Sequence, residues 1–132
     1  MNVIVDTCIW SKALRRQSGA NTPLVEKLTD LVNESRIVLI GAIRQEVLSG
    51  IKHDAQFERL RQALAPFEDI ALNQADYELA AQFYNQLRAK GVQGSNTDFL
   101  ICATAINYNL AIFTEDKDFD YFGQHLPLKL YV

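Results

Sequence analysis

Short β-branched hydrophobic runs alternate with helical patterns along this chain, and this alternation limits its possible folds more than any other feature. Residues 2–5 ("NVIV"), 37–40 ("IVLI") and 110–114 ("LAIFT") are typical of strands buried on both faces. Two further short strands are predicted at 68–72 and 128–131. The pattern predicts an α/β fold with a parallel central sheet of four to five strands and helices on both faces.

Apolar residues recur at helical spacing between these strands. Asn73 is predicted to cap one helix, and Thr97 is predicted to cap another, "DFLICATAINY", which is apolar nearly all round and is therefore expected to be central. Two glycines break the chain between these two helices. The remaining helices are predicted at 7–16, 23–34, 42–51 and 55–64.

The size of the chain fits one domain spanning residues 1–132. With 132 residues and 48% hydrophobic content, it can bury a single core. No apolar run approaches the roughly 20 residues of a membrane span, and the prediction is a soluble cytoplasmic protein. Cys8 and Cys102 lack metal-site spacing and are interpreted as small buried hydrophobic residues.

The net charge of −3 argues against a protein that holds nucleic acid by bulk electrostatics. It does not argue against a nucleic acid substrate, because a bound divalent cation reverses the sign of the local field. A few basic side chains can also position phosphates whatever the total charge.

Acidic residues recur where strands lead into helices. Asp6 directly follows the first strand, and Asp116 follows the strand "LAIFT". Glu46 lies in the first turns of the helix after "IVLIG", and Asp98 opens the central helix. Ligands of parallel α/β sheets bind beyond the carboxyl ends of the strands. We therefore expect these four carboxylates to meet at one rim of the sheet.

A cluster of four carboxylates has a clear chemical use. Neighbouring acids repel each other unless they take up protons or share a cation. Mg²⁺ and Mn²⁺ prefer hard oxygen ligands, and such a site can activate water for displacement on phosphorus. The pattern therefore predicts phosphodiester hydrolysis.

Each acid also has a structural interpretation. Asp6 could cap the helix that begins at Thr7, Asp98 could favour its helix through the macrodipole, and Glu46 could be a solvated helix residue. Asp116 and Asp118 could be turn residues. The common location favours a site, because one fold would bring all four acids to the same edge.

Four motifs in order resemble the PIN-domain ribonucleases, and among them the VapC-type toxins of type II toxin–antitoxin pairs. They are "VDTCIW" with Asp6, "IRQEVLSG" with Glu46, "TDFLICATAINYNL" with Asp98, and "TEDKDF" with Asp116. The similarity extends from the first strand to "LPLKLYV". It identifies the chain as a member of this family.

The resemblance implies a Mg²⁺- or Mn²⁺-dependent endoribonuclease that cleaves tRNA, rRNA or mRNA. Asp6, Glu46, Asp98 and Asp116 would form the metal centre, with Asp6 and Asp98 as the most direct ligands. Thr114 would support the site through its hydroxyl, and Asp118 would be a fifth acid. The expected partner is an antitoxin whose C-terminal segment covers the cleft, and the expected oligomer is a homodimer.

One residue of the last motif departs from the family pattern. Glu115 stands where a basic residue is frequent, so an extra negative charge beside the site is expected to weaken the approach of phosphate.

Basic residues near the expected cleft are candidates for contacts with the RNA backbone. They are Lys12, Arg15, Arg16, Arg88 and Lys90. The alternative is a set of solvated helix faces. Trp10 could stack a base, but its position favours the core or a dimer interface.

Two other functions fit the same layout. A non-catalytic PIN-like scaffold would bind RNA or protein without cutting it. A phosphoryl-accepting receiver domain would require an acid pair after the first strand, where this chain has Asp6 alone.

Overall fold

The structure, a computed structural model, describes residues 1–15 and 22–132. Three parallel strands form its sheet in the order β2-β1-β3, with β1 at Val3–Val5, β2 at Ile37–Val38 and β3 at Ala111–Phe113. Seven helices surround the sheet in the described part of the chain. They are α1 (Thr7–Arg15), α2 (Pro23–Asn33), α3 (Gly41–Leu48), α4 (Asp54–Leu64), α5 (Gln74–Ala89), α6 (Asn96–Asn107) and α7 (Asp118–Gly123).

The predicted α/β class, parallel sheet and helices on both faces are confirmed, but the predicted number of strands is wrong. Residues 68–72 and 128–131 each make one parallel bridge, Leu39 with Asp69 and Ile112 with Leu130, and neither forms a strand. The chain turns immediately before each bridge. Phe67 still donates to the Leu64 carbonyl, and the Leu128 N–H bonds back to the carbonyl two residues earlier. Each turn therefore prevents the ladder from extending on the N-terminal side of its bridge.

The central strand and the central helix carry the core. All three residues of β1 are fully buried, as the β-branched run predicts. Seven consecutive residues of α6, from Phe99 to Ala105, are buried, which confirms that this helix is central. Within residues 1–15 and 22–132, every helix is too short or too polar to span a bilayer.

The start of α6 differs from the prediction. Ser95, and not Thr97, is the N-cap. The Ser95 hydroxyl accepts from the Asp98 N–H, and the Asp98 carboxylate accepts from the Ser95 N–H, both at 3.0 Å. This reciprocal pair satisfies two backbone donors at once, so the helix begins before Thr97. The corresponding prediction for α5 is confirmed, since Asn73 caps it together with Asp76.

Candidate active site

The candidate site lies at the carboxyl edge of the parallel sheet, where the four predicted acids are delivered by four different elements. Asp6 follows β1 directly, and Asp116 follows β3 by three residues. Glu46 is on α3, the helix after β2, and Asp98 is in the first turn of α6. This edge is where ligands bind in parallel α/β sheets.

Asp6 is the most buried acid of the group, with 6% of its surface exposed. Its backbone N–H donates to the Phe113 carbonyl at 2.9 Å, which fixes it beside the end of β3. Its carboxylate accepts from the Thr7 N–H at 2.8 Å and from the Thr114 hydroxyl at 2.7 Å. Burial raises the pKa of Asp6 although these hydrogen bonds oppose the rise, and the charge of Asp116 adds to it.

Thr7 connects Asp6 to Glu46. While its N–H bonds to Asp6, its hydroxyl donates to the Glu46 carboxylate at 2.6 Å. The position of Glu46 is fixed by α3, which buries Ile43 and Val47 completely. The Glu46 side chain itself is exposed, so one of its oxygens remains accessible to water.

Arg44 anchors the same helix to the last residue of α4 and to the segment that follows it. Its guanidinium bonds to both carboxylate oxygens of Asp69, at 3.1 and 3.3 Å, and to the backbone carbonyls of Leu64 and Phe67. A planar guanidinium with several fixed acceptors holds its helix more firmly than an ammonium group could. Arg44 is therefore a structural residue, although it lies two positions from Glu46.

Thr114 connects Asp6 to Asp116. Its hydroxyl donates to Asp6 and accepts from the Asp116 N–H at 3.0 Å. Asp116 is exposed, and its carboxylate accepts from the Asp118 N–H at 2.9 Å. Asp118 thus meets the site through its backbone N–H, and the same residue lines a neighbouring groove.

Asp98 belongs to the same electrostatic cluster. Its half-buried carboxylate accepts the Ser95 N–H of the capping pair. Burial is the largest cause of its raised pKa, and the charges of Asp6 and Asp116 raise it further. Three acids from distant parts of the chain therefore repel one another at this rim.

The arrangement of the four acids fits a divalent cation that is bound directly by only one or two carboxylates. In residues 1–15 and 22–132, no three Asp, Glu, His or Cys side chains lie close enough together to bind one ion directly. Mg²⁺ commonly uses one or two carboxylates and keeps several waters. In the described part of the chain, neither Asp6 nor Asp98 forms a salt bridge. A divalent cation would relieve this unbalanced charge, and its preferred oxygen ligands are present.

The predicted basic residues are only partly available at the site. Lys12 forms an ion pair with Glu115 at 2.5 Å, so Glu115 does not stand as an isolated negative charge. Arg15 donates to the Val47 carbonyl at 3.0 Å. Arg88 lies over the ring of Tyr84 and donates to its hydroxyl. Lys90 is exposed at the end of α5, whereas Arg16 lies outside the described residues.

Three neighbours of the site were not assigned there by the sequence. Thr7 stands out in the sequence only as a position of the first motif, and the signal for Ser95 is the capping-box spacing of "SNTD". Cys8 is half-buried, and its sulfur lies 3.5 Å from the Asp6 carboxylate, so the interpretation as a buried hydrophobic residue holds only for Cys102. Trp10 is buried and packs against the Phe67 ring, which agrees with the predicted core position.

Comparison with known proteins relates this chain to one protein family. The model of the PIN domain family matches residues 3–124. Ribonuclease VapC4 of Mycobacterium tuberculosis is 32% identical over 85 residues, which is 63% of this chain and 65% of that protein, so the match spans less than two thirds of the relative.

Two solved structures share the fold. FitAcB from Neisseria gonorrhoeae superposes with a TM-score of 0.77 at 21% identity, covering 98% of this chain and 96% of that one. VapBC2 from Rickettsia felis, bound to a DNA fragment from its promoter, gives a TM-score of 0.77 at 21% identity and covers 99% and 98%. At this level of identity, the similarity establishes a common fold.

Proposed function

Because this chain belongs to the PIN domain family, we propose that it is a Mg²⁺- or Mn²⁺-dependent endoribonuclease that hydrolyses RNA phosphodiester bonds. The observation that carries the proposal is the hydrogen-bonded connection of Glu46, Thr7, Asp6, Thr114 and Asp116 along one edge of the sheet. Asp98 lies within reach of the same cluster, because the charges of Asp6 and Asp116 add to the rise in its pKa that burial causes.

Asp6 and Asp98 would hold the cation directly, with Glu46 and Asp116 contributing through water. When bound, the cation supplies a positive charge that stabilises the reacting phosphate and lowers the pKa of water. Thr114 orients the Asp6 carboxylate and the Asp116 backbone together. The accessible oxygen of Glu46 would orient the attacking water and accept its proton, while its other oxygen is held by Thr7.

We further propose that the chain is the toxin component of a toxin–antitoxin pair. Its similarity to Ribonuclease VapC4 and to the VapBC2 and FitAcB structures supports this role. The proposed partners are a tRNA, rRNA or mRNA substrate, a cognate antitoxin and a second copy of the chain. The proposed setting is the cytoplasm.

The first test is RNA cleavage by the purified protein with Mg²⁺, with Mn²⁺ and with a chelator. We expect Asp6→Asn and Asp98→Asn to abolish cleavage and to remain folded, because each change removes a repelling charge from the apo protein. Asp30→Asn is a matched control, since Asp30 is exposed near the end of α2 that leads into the start of β2, away from the rim. Full metal-dependent cleavage by both site variants would refute the proposal.

A second candidate function is a non-catalytic PIN-like scaffold. It is favoured by one observation, namely that no three potential ligands converge on a single point in the described part of the chain. The same assay separates the two functions. A purified protein that binds RNA but leaves it intact at millimolar Mg²⁺ and Mn²⁺ would be a scaffold.

A further inference from the structure

A groove of about 240 Å³ opens beside the acidic rim. The loop after α5 forms one side, and α7 forms the other; the lining residues are Gly91, Val92, Gln93, Asp118, Tyr121 and Phe122. Its volume is below the roughly 300 Å³ at which small-molecule sites begin. It would therefore receive one part of a larger ligand.

The walls of the groove are fixed by the core. The Phe122 ring is fully buried and packs on Phe119 and Phe99, with centroids 5.2 and 4.9 Å away. On the other side, the Val92 N–H donates to the Leu87 carbonyl at 2.8 Å, and Gly91 has a φ of +77°. The groove is thus preformed, which lowers the entropic cost of binding.

Tyr121 is the unusual member of this lining. It is a large aromatic side chain, yet 56% of its surface is exposed. An exposed ring on a rigid wall provides a face for stacking, and stacking on aromatic side chains is the common way in which proteins hold unpaired bases.

Backbone contacts connect the groove to the site. The Asp118 N–H bonds to the Asp116 carboxylate at 2.9 Å, so the residue that lines the groove also touches one of the four acids. An RNA strand with a phosphate at the acidic rim would bring a neighbouring nucleotide to this groove.

The charges favour a base over a phosphate as the occupant. The Asp118 carboxylate repels phosphate but accepts hydrogen bonds from the N–H groups of a base, and Gln93 both donates and accepts. Arg88 lies on the other side of the same loop, where it shares a second cleft with Val92 and Gln93. Its guanidinium donates to the Tyr84 hydroxyl but forms no ion pair within the described residues, so its positive charge is not neutralised and can attract the next phosphate.

We infer that the groove between residues 91–93 and α7 is a subsite for one unpaired base next to the cleaved bond, with Tyr121 as the stacking platform. This inference rests on the proposed ribonuclease function. It assigns to Tyr121 a role in substrate binding and not in the chemical step.

The test uses a single-stranded RNA oligonucleotide that spans a mapped cleavage site. Tyr121→Leu removes the planar ring but keeps apolar volume, and Tyr121→Phe keeps the ring. We expect Tyr121→Leu to raise KM roughly 5- to 100-fold, as for the loss of one base stack, with little change in kcat. Tyr121→Phe should stay close to wild type. Phe57→Leu, at another exposed aromatic residue, is the matched control.

Abasic substitution identifies the base. We expect one abasic position near the cleaved bond to raise KM for the wild type, and the same substitution to have no further effect on Tyr121→Leu. Cleavage with unchanged KM in Tyr121→Leu would overturn the inference while leaving the ribonuclease function intact. If Tyr121→Leu weakened only the binding of an antitoxin, the groove would be a protein site, which also overturns the inference. Absence of any metal-dependent cleavage by the wild type would instead refute the ribonuclease function.

Discussion

Replacing Thr114 by valine tests whether hydroxyl connections organise the acidic rim. Valine keeps the shape of threonine but removes the bond to Asp6 at 2.7 Å and the acceptor for the Asp116 N–H at 3.0 Å. Asp6 is buried, so the lost bond to its carboxylate costs about 1.5–3 kcal/mol of folding free energy. The exposed Asp116 N–H can bond to water instead and adds little.

The expected effects are measurable in two assays. For a chain of this length, the lost stability lowers Tm by roughly 5–12 °C, measured by circular dichroism without metal. Because a displaced supporting residue typically weakens metal affinity, the Mg²⁺ concentration for half-maximal RNA cleavage should rise about 10- to 100-fold.

Thr114→Ser is the control, because serine keeps the hydroxyl and loses only a methyl group. It should remain close to wild type in both assays. If Thr114→Val matched the wild type in Tm and in Mg²⁺ requirement, the hydroxyl would not organise the rim, and the inferred connection between Asp6 and Asp116 would be wrong.

Three further changes test other parts of the structure. A Cβ at Gly94 would lie 2.6 Å from a buried phenylalanine ring, so Gly94→Ala should cost about 1–3 kcal/mol in urea unfolding, whereas Gly123→Ala, with open space around it, should cost far less. Hydrogen bonds to the Asp76 carboxylate, of which the one from the Asn73 backbone N–H has the largest effect, lower the pKa of Asp76. The ionised carboxylate therefore stabilises the fold at pH values above the ordinary Asp pKa, and this stability is lost as pH falls through the lower pKa of the folded state. The urea midpoint of Asp76→Asn should therefore lie below that of the wild type at pH 7, and the gap should narrow towards pH 3. Glu115→Gln removes the ion-pair partner of Lys12, so KM for RNA should fall up to about 5-fold below the wild-type value at low salt. At high salt, screening should bring KM back to the wild-type value. An unchanged KM at low salt would contradict this.

The elements predicted best are those with a strong local signal. The run "VIV" became the buried central strand, and the apolar segment that begins at Phe99 became the central helix. The two edge segments were overestimated because a short apolar run does not reveal where the backbone turns away. Helix α7 is not predicted by the sequence, because Asp116 and Asp118 are typical of turns, whereas in the structure Asp118 begins the helix.

For the site, the sequence predicts the edge of the sheet at which the four acids lie, but not the side-chain bonds that connect the residues there. Parallel strands deliver their carboxyl ends to one side, so four acids could be placed there from order alone. The bond from Thr114 to Asp6 joins residues 108 positions apart, and the pair of Lys12 with Glu115 spans 103. Such contacts depend on side-chain placement in the folded chain and leave no local pattern.

The strand order has a consequence for biosynthesis. Strand β1 lies between its two partners, and its pairing with β3 joins Val3 to Ala111, so the middle of the sheet stays incomplete until Ala111 has been translated. Contacts this distant in sequence form slowly. A nascent chain therefore carries Asp6 long before Thr114 exists to hold it, and the acidic rim is assembled only after both residues have been translated.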